Sequence, residues 1–301
     1  MSSARGLHRF YNVNGWLFVA PAVGLISLFM VYPILSSLWM SFQTGRGMMQ
    51  HFGGFANIER LFIDPMFRLA FSNTMMFLVV QLPIMLSLAM LLAVVLNNPK
   101  LRFRGLFRTA IFLPCVSSLV GYSVIFKSLF VADGLVNRAL EGCGLIAEPI
   151  PWTTDPFWAR ALIIIAITWR WTGYNMIFYL SALQNIDKSI YEAARIDGVS
   201  APGRLFFLTV PMLKPVILFT TVTSTIGTLQ LFDEIRNILP SNAGGAAGPS
   251  NSALTLSVYI YNLTFKFMPN LGYAATVSWV IVLAVALLSA VQFLVLREGK
   301  R

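Results

Sequence analysis

The sequence is 301 residues long, with 57% hydrophobic and 11% charged residues, a formal net charge of +10 and a mean hydropathy of +0.72. A soluble domain carries about 25% charged residues, so this composition excludes one and reads as an integral membrane protein. The surplus cations sit at the edges of apolar runs rather than on one polar face, which argues against nucleic-acid binding.

Crossing a hydrocarbon core takes about 20 apolar residues, and six runs qualify: Gly15–Met40, Ala70–Leu96, Leu106–Val131, Phe157–Leu183, Val216–Phe232 and Gly272–Val295. The first is preceded by Arg5 and Arg9, as in a signal peptide. Its apolar run is far longer than the roughly 7 to 15 residues of a signal core, and no small-residue cleavage pattern follows it. It reads as a retained first span. With the N-terminus inside, the inner segments hold 13 Lys and Arg against four acids, Asp187, Glu192, Asp197 and Glu298, whereas the outer segments hold seven against eight. Because cations concentrate on the cytoplasmic side, both termini are expected inside. The longest loops, near 41–69, 132–156 and 233–271, then lie outside, where Asp155 reads as an ordinary loop acid.

In the second span, Gln81 and Pro83 suggest packing and a kink, although Gln81 could instead line a path through the bundle. Pro114 marks a kink in the third span, and Lys127 snorkels to the outer interface. Cys115 lies in that span and Cys143 in an outer loop, a poor basis for a framework disulfide.

The fourth span contains "ITWRWTGYNMIFY". A charge at mid-membrane costs about 2.5 to 3.5 kcal/mol on insertion scales, so Arg170 should face a cavity or a partner. Trp169, Arg170, Trp171, Tyr174 and Asn175 combine flat aromatic faces with hydrogen-bonding groups, which suits the apolar C–H faces and hydroxyls of a sugar. Two alternatives stay open: the aromatic residues could form an interfacial belt, and Arg170 could pair with an acid of a partner subunit.

Between the fourth and fifth spans runs "IYEAARIDGVSAPGRLFFLTVP". From Asp187 to Asp197, the residues Ile190, Ala193, Ala194 and Asp197 share one helical face. Gly198 suits a helix C-terminus, Pro202 the first turn of a second helix, and Pro211 the opening of the next span. A helix-turn-helix along the cytoplasmic surface is predicted. By periodicity alone it could equally be an interfacial connector. In the fifth span, Ser224, Thr228 and Leu231 share a face by i, i+4 and i+7 spacing; the Ser and Thr could also cement helix contacts. The stretch "SNAGGAAGPSNS" then reads as a flexible turn. "ALTLSVYIYNLTFKF", broken by Asn262 and Lys266, reads as an interfacial or re-entrant helix rather than a seventh span.

A phosphate-cradling G-x-x-x-x-G-K-[ST] loop is absent, so this chain is not expected to hydrolyse ATP. His8 and His51 are its only histidines, which leaves no His-based metal or triad chemistry. Asp233 and Glu234 come nearest to a membrane carboxylate pair, but they fall at the outer end of the fifth span. A secondary transporter would be expected to show an intramembrane carboxylate or an inverted repeat, and neither is evident.

The loop residues resemble the EAA loop of permease subunits of binding-protein-dependent ABC importers. Glu192, Ala193, Ala194, Gly198 and Pro211 match its spacing, while Leu208 and Val210 stand where the family has Ile and Leu. Asp197 before the glycine, "RGLFRTAIFLP", "DGLVNRAL" and "LQLFDEI" are similar to landmarks of the maltose-type carbohydrate permeases; "AGGAAGP" departs from the family's shorter Thr-x-Gly-Gly-Pro. The resemblance implies an all-α integral membrane fold of the type I ABC importer permease class, with six transmembrane helices and a cytoplasmic coupling helix pair. It also implies one permease domain over 1–301 with the coupling loop at 186–211, in a bacterial or archaeal cytoplasmic membrane. Its implied partners are a homologous second permease, two ATPase subunits that bind ATP and Mg, and an extracytoplasmic solute-binding protein. Matched to the family, Trp171, Tyr174, Ser224, Thr228 and Leu231 fall at sugar-pocket positions.

Overall fold

The computed structural model describes residues 15–47, 49–240 and 247–297. Arg5, His8, Arg9, Glu298, Lys300, Arg301 and the Ala243–Ala246 part of the glycine-rich stretch lie outside them. Among the described residues, four helices are long and apolar enough to cross a membrane: α1 (Gly15–Ser41), α3 (Pro65–Leu96), α7 (Pro156–Gln184) and α13 (Leu271–Arg297). Two bent pairs bring the possible spans to six: α4 (Arg104–Val116) with α5 (Leu119–Leu129), and α9 (Ala201–Met212) with α10 (Lys214–Leu229). Short helices complete the chain: α2 (Ala56–Ile63), α6 (Leu135–Gly142), α8 (Lys188–Ile196), α11 (Asp233–Ile238) and α12 (Leu256–Tyr261).

The described residues form two compact units. The first holds residues up to Ile63 together with Leu263–Trp279. Its helix α1 exposes apolar side chains such as Phe18, Phe29 and Trp39, as a lipid-facing span should. The loop that follows is more ordered than its sequence suggests. It contains the antiparallel hairpin Gln43–Arg46 with Met49–Phe52, and Asn57 Nδ2 donates to the carbonyls of Ser41 (3.0 Å) and Gln43 (2.7 Å). The Arg60 guanidinium lies 4.0 Å over the Tyr273 ring.

The second unit comprises Asp64–Asn262 with the C-terminal part of α13. Its two longest helices begin alike. Asp64 caps α3 by accepting from the Met66 amide, and Asp155 caps α7 by accepting from the amides of Phe157 and Trp158, each with proline in the first turn. An aspartate there satisfies orphan amides and complements the helix dipole, so Asp155 is a structural cap and not a dispensable loop acid. A core of Ala89, Met90, Ala93 and Leu96 from α3 meets Met176, Tyr179, Leu180 and Leu183 from α7, with Leu213. Helix α10 joins through a 2.8 Å hydrogen bond between the hydroxyls of Tyr179 and Thr220.

Two spans differ from the sequence expectation. The third is not one helix kinked at Pro114; it breaks at Ser117 and Ser118, which adopt extended backbone, and the halves meet at 101°. Ser118 caps the second half by accepting from the Gly121 amide. The fifth span does not open at Pro211, which instead lies in the last turn of α9; α10 starts at Lys214 after a break at Leu213, bent by 75°. Widened π-turns at Ser27–Val31 and Leu205–Thr209 precede Pro33 and Pro211. A proline ring clashes with the carbonyl four residues earlier, and a π-turn makes room for it.

The loop after the fifth span is pinned in its described part. Asn73 Nδ2 on α3 donates to the carbonyls of Asn251 and Leu254, Arg160 Nε on α7 to Ser252, and the Thr255 hydroxyl to Leu231. Ala247, Ser252 and Ala253 are buried, which corrects the flexible-turn expectation for this portion. Leu256–Tyr261 is too short to span and largely buried.

Where α4 crosses α7, a Cβ on Gly173 would stand 2.0 Å from the Ile111 carbonyl oxygen. Close approach of this kind requires a glycine. Gly173→Ala is expected to destabilise the bundle by about 1 to 3 kcal/mol through overpacking. Gly105→Ala, also helical but with open space around it, should be neutral or stabilising. Thermal denaturation of the two purified variants checks this, and equal midpoints would refute it.

Candidate functional site

Helices α3, α5, α7, α10 and α11 enclose a cavity of about 350 Å³, within the usual range of small-molecule sites. Trp171, Tyr174, Asn175, Ser224, Thr228 and Leu231 all line it, together with Gln81. The wall is a chain of hydrogen bonds. Thr228 Oγ1 donates to Gln81 Oε1 at 3.1 Å, Ser224 Oγ to Asn175 Oδ1 at 3.3 Å, and Asn175 Nδ2 to the Trp171 carbonyl at 3.0 Å. Gln81 Nε2 lies 3.1 Å from Met85 Sδ. These contacts fix the polar groups before any ligand arrives. The aromatic side is fixed as well, since Trp171 and Tyr174 meet edge to face at 5.8 Å and Tyr174 meets Phe178 at 5.0 Å.

Arg170 is not part of the lining. It is 7% exposed and sits behind the wall, its guanidinium 4.6 Å over the Tyr122 ring, with Nη2 donating to the Ser117 carbonyl at the broken third span. Trp169 also points elsewhere, stacking with Tyr122 and lying tilted against Phe126 of α5. The acid that senses Arg170 comes from the same chain: Glu234, buried on α11 and facing the cavity. Burial pushes the Glu234 carboxyl above the ordinary range, while a bond from its own backbone and the charge of Arg170 pull it back. Sequence reasoning left Glu234 at the outer end of a span because it treated Val216–Phe232 as one continuous helix. The chain turns after Leu229, and α11 then packs beside α5 and α7. The adjacent acids in "LQLFDEI", next to a buried cation of the fourth span, were the available signal.

The second candidate region is the helix pair α8 and α9. Asp187 caps α8 by accepting from the Ser189 amide, and that bond holds its carboxyl below the ordinary range. At the other end the Val199 amide donates to Ala194 O (2.9 Å) and the Gly198 amide to Arg195 O (3.1 Å), the paired closure of a Schellman cap. Gly198 adopts φ +74, the left-handed conformation that this closure requires. Ser200 caps α9, with Pro202 in its first turn. The hydroxyls of Tyr191 and Thr209 meet at 3.1 Å and tie the pair together. The buried side is Ile190, Tyr191 and Ala194, whereas Ala193 and Asp197, expected on that side, are exposed with Glu192 and Ile196. Ile196 is 87% exposed, an apolar side chain left outward on an otherwise polar surface.

Residues 100–297 match the family described as binding-protein-dependent transport system inner membrane component. The chain is 67% identical to the lactose transport system permease protein LacF of Rhizobium radiobacter over 99% of both sequences. It is 32% identical to the arabinooligosaccharides transport system permease protein AraP of Halalkalibacterium halodurans, over 95% of this chain and 89% of that one. In the fold comparison, a chain from the crystal structure of a bacterial ABC transporter involved in the import of the acidic polysaccharide alginate aligns over 100% of both chains. Its TM-score is 0.80 at 21% identity.

Proposed function

The chain belongs to the family of binding-protein-dependent transport system inner membrane components, and from that membership we propose that it is the permease subunit of an ATP-driven importer of oligosaccharides. The cavity carries the sugar reading. Its walls pair flat aromatic faces, Trp171 and Tyr174, with amide and hydroxyl groups from Gln81, Asn175, Ser224 and Thr228. Sugars present the complementary surfaces, and pre-formed hydrogen bonds lower the ordering cost of binding. Relatives named for lactose and arabinooligosaccharide transport favour a substrate of two or more sugar units.

The chain is a transport component rather than an enzyme, and hydrolysis of ATP with Mg falls to separate subunits. In this reading two ATPase chains work beneath a pair of homologous permeases, and an extracytoplasmic binding protein delivers the sugar. The helix pair α8 and α9 is the joint to the ATPase. Capped at both ends and cross-tied by Tyr191 and Thr209, it moves as a rigid lever, with Glu192, Ala193 and Ile196 outward for docking. The protein is a multi-pass component of the cytoplasmic membrane. The excess of cations in the inner segments supports both termini on the cytoplasmic side, and residues 1–301 are read as one transmembrane domain containing the coupling loop 186–211.

Tyr174→Ala and Ser224→Ala are expected to slow sugar uptake by roughly fivefold or more, the effect of about 1 kcal/mol lost at a buried contact. Complex assembly should be preserved. Uptake by membrane vesicles, normalised to recovered complex, measures this; unchanged rates in both variants would remove the cavity from the transport path.

Gly198→Asp and Glu192→Lys should each reduce recovery of the ATPase in a pull-down on the permease. The first forces a side chain into positive φ and opens the Schellman closure; the second reverses a docking charge. Glu148→Lys, exposed in an outer loop, should leave recovery unchanged. Full recovery with both inner variants would reduce the helix pair to a connector.

A further inference from the structure

Among the described residues, no lysine or arginine lines the cavity, but two carboxylates do, Asp233 and Glu234 at the start of α11. Asp233 is exposed and Glu234 is 6% exposed. Behind Glu234 lies the buried Arg170, whose Nε and Nη1 have no hydrogen-bond partner. The Tyr122 hydroxyl stands beside Glu234. A buried guanidinium with two unpartnered N–H groups supports a negative charge at this point of the wall, because an uncompensated buried cation is costly. That charge also faces the cavity, where it does not serve packing.

On the basis of the carbohydrate reading of this cavity, we propose that Glu234 is a specificity-determining residue. Its carboxylate, with Arg170 as the counterion behind it, accepts hydrogen bonds from substrate hydroxyls and, together with Asp233, turns away sugars bearing a carboxylate. Two chemical facts favour this. An ionised carboxylate offers only acceptors and binds hydroxyl donors through charge-assisted bonds, stronger than those of an amide or a hydroxyl. The same charge repels an anionic ligand in a site partly shielded from water, where Coulomb interactions are much stronger than in solvent. Discrimination by an unfavourable contact with the wrong ligand is an effective route to specificity. The remaining polar wall, Gln81, Asn175, Ser224 and Thr228, is neutral and offers an anion no compensating cation. Arg170 acts through Glu234 and is a positioning residue.

The test uses the assembled complex of permease pair and ATPases in lipid nanodiscs, without binding protein, so that the cavity alone selects. Binding of lactose and of the same disaccharide oxidised to the uronate at C6 of galactose is read by tryptophan fluorescence. ATPase activity of each variant verifies assembly. The wild type should favour lactose by at least about tenfold. Glu234→Gln should shrink that ratio by roughly tenfold, weakening lactose and strengthening the uronate; Asp233→Asn should shrink it less, and Glu148→Gln should leave it unchanged. A ratio near one in the wild type, or a ratio unmoved by Glu234→Gln, overturns the proposal while leaving the sugar site standing. If Glu234→Gln does not assemble, an unmoved ratio in Asp233→Asn overturns it instead. If lactose, sucrose and an arabino-oligosaccharide all fail to bind the wild type, the sugar reading itself falls, and this inference with it.

Discussion

Hydrocarbon offers no hydrogen-bond partner, so every polar group carried into a membrane must be satisfied by the protein itself. Much of the second unit follows from that requirement. Tyr179 meets Thr220, Thr228 meets Gln81, Ser224 meets Asn175, and Gln292 Nε2 on α13 donates to Thr225 Oγ1. Each pair joins two helices, and each fixes which faces turn toward each other. Without an aqueous hydrophobic drive between helices, such bonds and the close approach at Gly173 set the packing. The cavity lies where these faces stop short of one another, and its polar lining is continuous with the polar contacts that assemble the bundle.

That continuity explains what could be read from the sequence. Ser224 and Thr228 were placed on one face by helical periodicity and Tyr174 by the family register, and all three line the cavity. Gln81 was half legible: a glutamine in an apolar span signals a contact, but periodicity does not say whether it faces protein or cavity. The place of Glu234 beside Arg170 was not legible, because it depends on the turn after Leu229, where "LQLFDEI" carries no glycine or proline to mark it. The breaks at Ser117–Ser118 and at Leu213 were misplaced for a related reason. Proline was taken as the break, yet Pro114 lies within a helix, and Pro211 is accommodated by a π-turn. In each case the interruption falls a few residues beyond the proline, where capping or burial decides it. Helix ends announced by Asp64, Asp155, Asp187 and Gly198 carry their own cap chemistry, although the sequence reading used only the last of these.

The break at Leu213 joins the two candidate regions. Leu213 is 1% exposed and packs into the core formed by α3 and α7, so the break between α9 and α10 is held within a buried cluster of the unit. Helix α10 then runs from Lys214 without interruption to Leu229. At 1.5 Å per residue, Ser224 lies about 15 Å from its start. Helix α10 therefore links the break at Leu213 to Ser224 and Thr228 directly, without a chain of intermediate side chains. The far end is restrained differently: the Leu231 carbonyl is held by Thr255, and Glu234 on α11 senses the charge of Arg170 on α7. The cavity is therefore bounded by a helix anchored at one end in the buried core and tethered at the other by the Thr255–Leu231 bond. Between these two restraints the wall is held by single hydrogen bonds such as the 3.3 Å contact from Ser224 to Asn175, each contributing far less than the burial of a core cluster.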